Sequence, residues 1–174
     1  MRKLALILLI AFISVPFATV TAQDSINWID ITDLEEEMSR NPKPVFFDVY
    51  TDWCGWCKRM DKTTFRNKKV VDAINTNFHA VKFDAEMKET FTFQGHEFKF
   101  IDSGRRGHNE LAAALLNNRM SYPSYVALNE KFERITIIKG YQTVQQFMPI
   151  LTYLSNKHYL QQTWEEYKSS LKSD

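Results

Sequence analysis

Outside Cys54 and Cys57 the 174-residue sequence contains no cysteine. Disulfide staples are therefore excluded everywhere except within this one Cys-x-x-Cys. A zinc half-site at the same pair would need two further ligands, and His79, His96, His108 and His158 are scattered without pairing. Glycine and proline are sparse, five of each, which excludes low-complexity linkers. Neither sign of charge dominates. The 22 basic and 21 acidic residues leave a net charge of +1, with no field for nucleic acid or a membrane surface. There is no internal repeat. What the chain has in quantity is apolar and aromatic residues, 44% and 14%, as an ordered globular protein requires.

The one long apolar run is at the start. Met1-Arg2-Lys3 is a short basic segment, Leu4 to Val15 is almost continuously apolar, Pro16 breaks the run, and Val20-Thr21-Ala22 offers small residues for cleavage. The run is short for a ~20-residue membrane span and is interrupted by Ser14 and Pro16. Residues 1–22 therefore read as an export signal, with a mature protein from about Gln23 placed in the periplasm or secreted. No cysteine follows the cleavage point, which argues against lipoprotein attachment. Residues 23–174 are the size of one domain with its own core and no further membrane span.

The rest of the chain is organised around Pro44 to Phe65, PVFFDVYTDWCGWCKRMDKTTF. Val45-Phe46-Phe47 and Val49-Tyr50, interrupted only by Asp48, read as a strand buried on both faces. Thr51-Asp52-Trp53 is a turn, and Cys54-Gly55-Trp56-Cys57 opens a helix. Cysteines three apart at a helix start share a face and can close a small disulfide ring. The first sits where unpaired N–H groups and the helix dipole stabilise a thiolate, and Lys58 and Arg59 add positive charge. A purely structural disulfide closing so short a loop would constrain the unfolded chain little. The pattern favours redox chemistry.

In chain order, Ile26 to Ile29 is a candidate edge strand. Thr32-Asp33-Leu34-Glu35 has the form of a capping box before a helix ending at Asn41-Pro42. Past the Cys-x-x-Cys helix, Asn67 reads as an N-cap, with Val70, Val71, Ile74 and Phe78 as one buried stripe. His79 to Asp84 alternates as a half-buried strand, giving a βαβαβ order and a parallel core. Glu89–Phe93 and His96–Phe100 predict a hairpin around Gln94-Gly95. A basic loop, Ser103–Gly107, precedes an Ala/Leu-rich helix over 108–118, with His108 at its start. Val126–Leu128 and Arg134–Ile138 predict an antiparallel pair. Thr143 opens a helix containing Pro149, and residues 157–174 form a helical tail carrying Tyr159, Leu160, Trp164, Tyr167 and Leu171.

Asp48 to Lys58, DVYTDWCGWCK, resembles the active-site segment of the thioredoxin superfamily and of its exported bacterial members. The matching features are an Asp six residues before the first Cys, a Trp just before it, a Gly after it and a basic residue after the second. Trp56 departs from the Pro of cytoplasmic thioredoxins. The resemblance implies a thioredoxin fold, a central mixed β-sheet flanked by helices, here with an inserted β-hairpin over about 86–107. The insertion is either a partner-recognition flap or a decorated sheet edge. Within the family a cis-proline lies against the Cys-x-x-Cys, a position matched by Pro123 after Tyr122, and Gly140 matches the glycine ending the last strand. The family's buried Asp relays a proton for the second cysteine, and a lysine partners it, as Asp48 and Lys82 would here.

The function implied is exported thiol–disulfide exchange with protein substrates. Cys54 attacks, Cys57 resolves, and Trp53, Gly55, Trp56, Tyr122 and Pro123 orient the substrate. The redox-active disulfide would suffice without metal or organic cofactor. The expected partners are protein thiols and disulfides and a membrane or periplasmic redox protein, with the chain acting as a monomer. Two other readings compete: a non-enzymatic peptide-binding module on the same fold, and an electron carrier dedicated to one client.

Overall fold

A computed structural model describes residues 25–104 and 106–171. The expected signal peptide lies outside these residues. Five strands form the main sheet: β1 (Trp28–Ile29), β2 (Val45–Tyr50), β3 (His79–Asp84), β8 (Ser124–Leu128) and β9 (Arg134–Lys139), in the order β1-β3-β2-β8-β9. β1 and β2 run parallel to β3, and β8 runs antiparallel to β2 and β9, so the sheet is mixed as the thioredoxin fold requires. β2 lies at its centre because it can bury both faces: Val45, Phe46, Phe47, Asp48 and Val49 are all buried.

Alternation along β2 sends its side chains into two cores. Phe46 joins a cluster with Met60 of α2 (Gly55–Lys62), Val70, Val71 and Ile74 of α3 (Lys68–Asn77), and Phe147, Leu151 and Leu154 of α5 (Val144–Ser155). Val45, Phe47 and Val49 join the other cluster, with Leu34 and Met38 of α1 (Leu34–Arg40) and Leu111, Ala112 and Leu115 of α4 (Glu110–Leu115). Asp48 has the parity of Phe46 and therefore points to the α2 side. Phe46 is ringed by Trp28, Phe65, Phe78, Tyr125 and Phe147 at centroid distances of 5.8–6.4 Å.

Local signals fared unevenly. Asn67 caps α3 by accepting from the Lys69 amide, and Thr143 with Gln146 forms a complete capping box on α5. The box expected at Thr32–Glu35 does not form. α1 is capped at Asp33 without a side-chain bond, and the Thr32 hydroxyl and amide both donate to Asp30. An Asx turn has taken the donor groups a capping box would use. The Cys-x-x-Cys helix ends at Lys62, and a 3₁₀ turn over Thr64–Arg66 continues it.

Between β3 and α4 the chain makes a hairpin of β4 (Phe91–Phe93) and β5 (His96–Phe98), shorter than expected at both ends. Gln94 and Gly95 both have positive φ, as a two-residue turn of this hand demands. Phe91 and Phe93 turn inward and join the α1/α4 core. A second ladder, β6 (Phe100–Ile101) with β7 (His108–Asn109), holds the far end of the excursion. His108 is thus a strand residue, which corrects its expected place at the helix start. Asn109 is the N-cap: its side chain accepts from Leu111 N and donates to the Met87 carbonyl. At the C-terminus, α6 (Trp164–Ser170) follows a 3₁₀ turn, and Tyr167 packs on Tyr153 of α5. Leu160 and Leu171, expected in that contact, are exposed instead.

Candidate active site

Two chain reversals at one end of the sheet build the site. β2 delivers Thr51–Cys54 directly into α2, and the Tyr122–Pro123 peptide, which is cis, delivers the chain into β8 beside it. Because Val49 is in register with Ser124, these two entry points are neighbours. Cys54 and Cys57 are joined by a disulfide. Cys54 is the N-cap of α2, and its Sγ accepts a hydrogen bond from the Cys57 amide at 3.1 Å. Exposure does not separate the two cysteines, at 5% and 3%. Position does: Cys54 alone sits at the end where unpaired amides favour a sulfur anion.

Asp48 is 2% exposed and faces Lys82, its register partner on β3. The Lys82 ammonium stands 3.5 Å from one Asp48 oxygen and makes a closer ion pair with Asp61. Asp48 Oδ1, Thr51 Oγ1 and the Tyr125 hydroxyl have no hydrogen-bond partner among the described residues. Burial raises the Asp48 pKa from 3.8 to about 7; the Lys82 charge pulls it back and the Asp61 charge pushes it further. The carboxyl is therefore poised to exchange a proton near neutrality. Asp61 escaped the sequence reading, although a signal was present: it lies four residues after Cys57, on the same helix face. Lys82 is half-buried and also lies over the rings of Trp28 and Tyr50 at 5.5 and 5.1 Å, so alternation does not simply expose it.

The aromatic residues expected to orient the substrate divide into two separate groups. Trp53 meets Tyr122 edge-on at 5.8 Å. Trp56 packs instead against Tyr141 at 5.6 Å, with the Arg59 guanidinium over both rings. Both tryptophans are about half exposed. Gly55 is the first residue of α2, and a Cβ there would meet nothing, so its backbone freedom is not what places it in the site. Among the described residues no His, Cys, Asp and Glu cluster is placed to hold a metal ion.

Residues 9–95, half of the chain, match the family Thioredox_DsbH, described as a protein of unknown function, DUF255. The chain belongs to this family. It is thereby a member of the thioredoxin superfamily, and its mixed sheet flanked by helices is the thioredoxin fold. This DsbH-family chain is 29% identical over 93 residues to an uncharacterized protein of Caenorhabditis elegans, B0495.5, covering 53% of the chain and 13% of that protein. It is 42% identical over 41 residues to the thiol:disulfide interchange protein DsbD of Pectobacterium atrosepticum, covering 24% of the chain and 7% of DsbD. The chain thus spans only a small fraction of these relatives. A thioredoxin-fold protein from Helicobacter pylori superposes with a TM-score of 0.56 at 19% identity, over 76% of this chain and 82% of that one. At such identity the likeness is one of fold. Among the described residues no helix is long and apolar enough to cross a membrane.

Proposed function

We infer that the protein is an exported thiol–disulfide oxidoreductase acting on protein substrates. The observation that carries this reading is the Cys54–Cys57 disulfide at the start of α2, a helix whose Asp61 shares Lys82 with the buried Asp48 carboxyl, whose pKa lies near neutrality. In the reductive direction the Cys54 thiolate attacks one sulfur of a client disulfide. That S–S bond breaks, one client sulfur leaves as thiolate, and a mixed disulfide forms. Cys57 then gives its proton to Asp48 and attacks the Cys54 sulfur, expelling the second client thiolate. The client has gained two electrons and the Cys54–Cys57 bond has re-formed. A redox partner in the membrane or periplasm restores the dithiol. Run backwards, the same steps oxidise a client dithiol. Lys82 holds the Asp48 carboxyl, and Trp53, Trp56, Tyr122 and Pro123 border the reacting sulfurs.

The export signal at residues 1–22 and monomeric action are part of this proposal, as is the description of residues 86–107 as an insertion and 157–174 as an added tail. The test is a trap. Cys57→Ser incubated with disulfide-bearing proteins accumulates long-lived mixed disulfides through Cys54, visible on non-reducing gels and mapped by mass spectrometry, whereas Cys54→Ser does not. Equal trapping by the two variants overturns the assignment of roles. Trapping by neither, together with no turnover of insulin disulfides, favours the binding-module reading.

A further inference from the structure

Beside the disulfide, on the side of the β3–α4 excursion, lies a cavity of about 290 Å³. Trp53 and Tyr122, the residues directly before Cys54 and Pro123, form its inner wall, and Glu86, Arg106 and His108 complete it from the excursion. The Arg106 guanidinium carbon stands over the Trp53 ring, 3.9 Å from its centroid. The indole N–H, at the ring edge, donates to Glu86 Oε1 at 2.9 Å. Edge and face of Trp53 are therefore held by opposite charges that do not pair with each other. Among the described residues no carboxylate lies within ion-pair distance of Arg106. The loop carrying it is pinned at Gly107, where a Cβ would collide with the Phe100 ring and the Ile101 carbonyl.

A guanidinium packed over an aromatic face keeps the N–H donors at the rim of its own plane free to bind a carboxylate in bidentate fashion. Stacking also removes much of the side-chain entropy that such a contact would otherwise cost. Lys88, which lines the adjoining recess with Arg106, adds a second positive charge.

Resting on the oxidoreductase reading, we propose that this cavity is a specificity subsite in which Arg106 receives an acidic side chain of a client segment, within two residues of the client's reacting cysteine. The excursion is then part of the substrate surface and not only an edge decoration. Glu86 orients Trp53 and limits the site to a single carboxylate.

The experiment uses two peptides, each with one cysteine as its 2-thiopyridyl disulfide, flanked on both sides by Glu in one and by Lys in the other. The reduced full-length protein reacts with each, and release of 2-thiopyridone gives the rate constant. At low salt the Glu peptide should react about five- to tenfold faster, as expected for a partly exposed charge-assisted contact. Arg106→Glu reverses the order, Arg106→Lys retains it, and Glu86→Gln, which keeps an acceptor for Trp53, increases it. Reaction with neutral hydroxyethyl disulfide stays the same in all of them. Equal rates for the two peptides in wild type, or a preference untouched by Arg106→Glu, overturns the subsite. Failure to react with hydroxyethyl disulfide and with both peptides overturns the oxidoreductase reading instead. The subsite is then judged on Ser-for-Cys versions of the peptides, with the Trp53 indole N–H resonance as reporter. A shift with the Glu peptide alone upholds it, and no shift or equal shifts refute it.

Discussion

Asp48→Asn should remove a specific pH dependence from the stability of the oxidised protein. In the fold the Asp48 carboxyl is 2% exposed and burial holds its pKa at about 7, whereas in the unfolded chain it ionises near ~3.9. Between these values the folded state holds a proton that the unfolded state has released. Wild-type stability then falls as pH rises, by ~1.4 kcal/mol per unit. The stabilisation is fully present below pH ~4 and is lost by the time pH passes the folded pKa, about 4 kcal/mol in all. Asparagine does not titrate, so the variant lacks this slope. Urea denaturation of both proteins from pH ~5 to ~8 isolates the effect, because other titrating groups cancel in the difference. Over that range wild type should lose ~2–3 kcal/mol relative to the variant. A difference that stays constant, or one that moves in favour of wild type as pH rises, would refute the buried-proton account of Asp48.

The two neighbours of Asp48 should shift its titration in opposite directions, read from the carboxyl carbon by NMR. Lys82→Met removes the attracting charge and raises the Asp48 pKa above about 7, while Asp61→Asn removes the repelling one and lowers it; shifts of the same sign would refute the three-group arrangement. In the resolving step, Asp48→Asn should slow decay of the mixed disulfide far more than its formation, followed by stopped-flow tryptophan fluorescence, and equal slowing of both would place the proton transfer elsewhere. In the core, Phe46→Ala should cost ~3–5 kcal/mol in chemical denaturation, because the ring it removes touches five others; a cost below ~1 kcal/mol would mean that the cluster is not well packed.

The sequence by itself determined whatever depends on near neighbours in the chain. The apolar run at Val45–Tyr50, the helix opening at Cys54, the Asn67 cap and the Gln94-Gly95 turn all follow from periodicity and turn chemistry within a few residues. The resemblance around the Cys-x-x-Cys added Asp48, Lys82 and Pro123, and register puts Asp48 opposite Lys82. Tertiary structure decided what depends on residues distant in the chain. Asp61 joins Asp48 through Lys82 only because α2 lies over that face of the sheet, and Arg106 reaches Trp53 only because Gly107 and the β6–β7 ladder hold the loop there. Even the failures follow this division. Thr32 had the spacing of a cap but found Asp30 nearer, and His108 had the place of a helix start but was drawn into pairing with Ile101. Local pattern states which bonds a residue can make, and only the assembled fold determines which competing partner arrives.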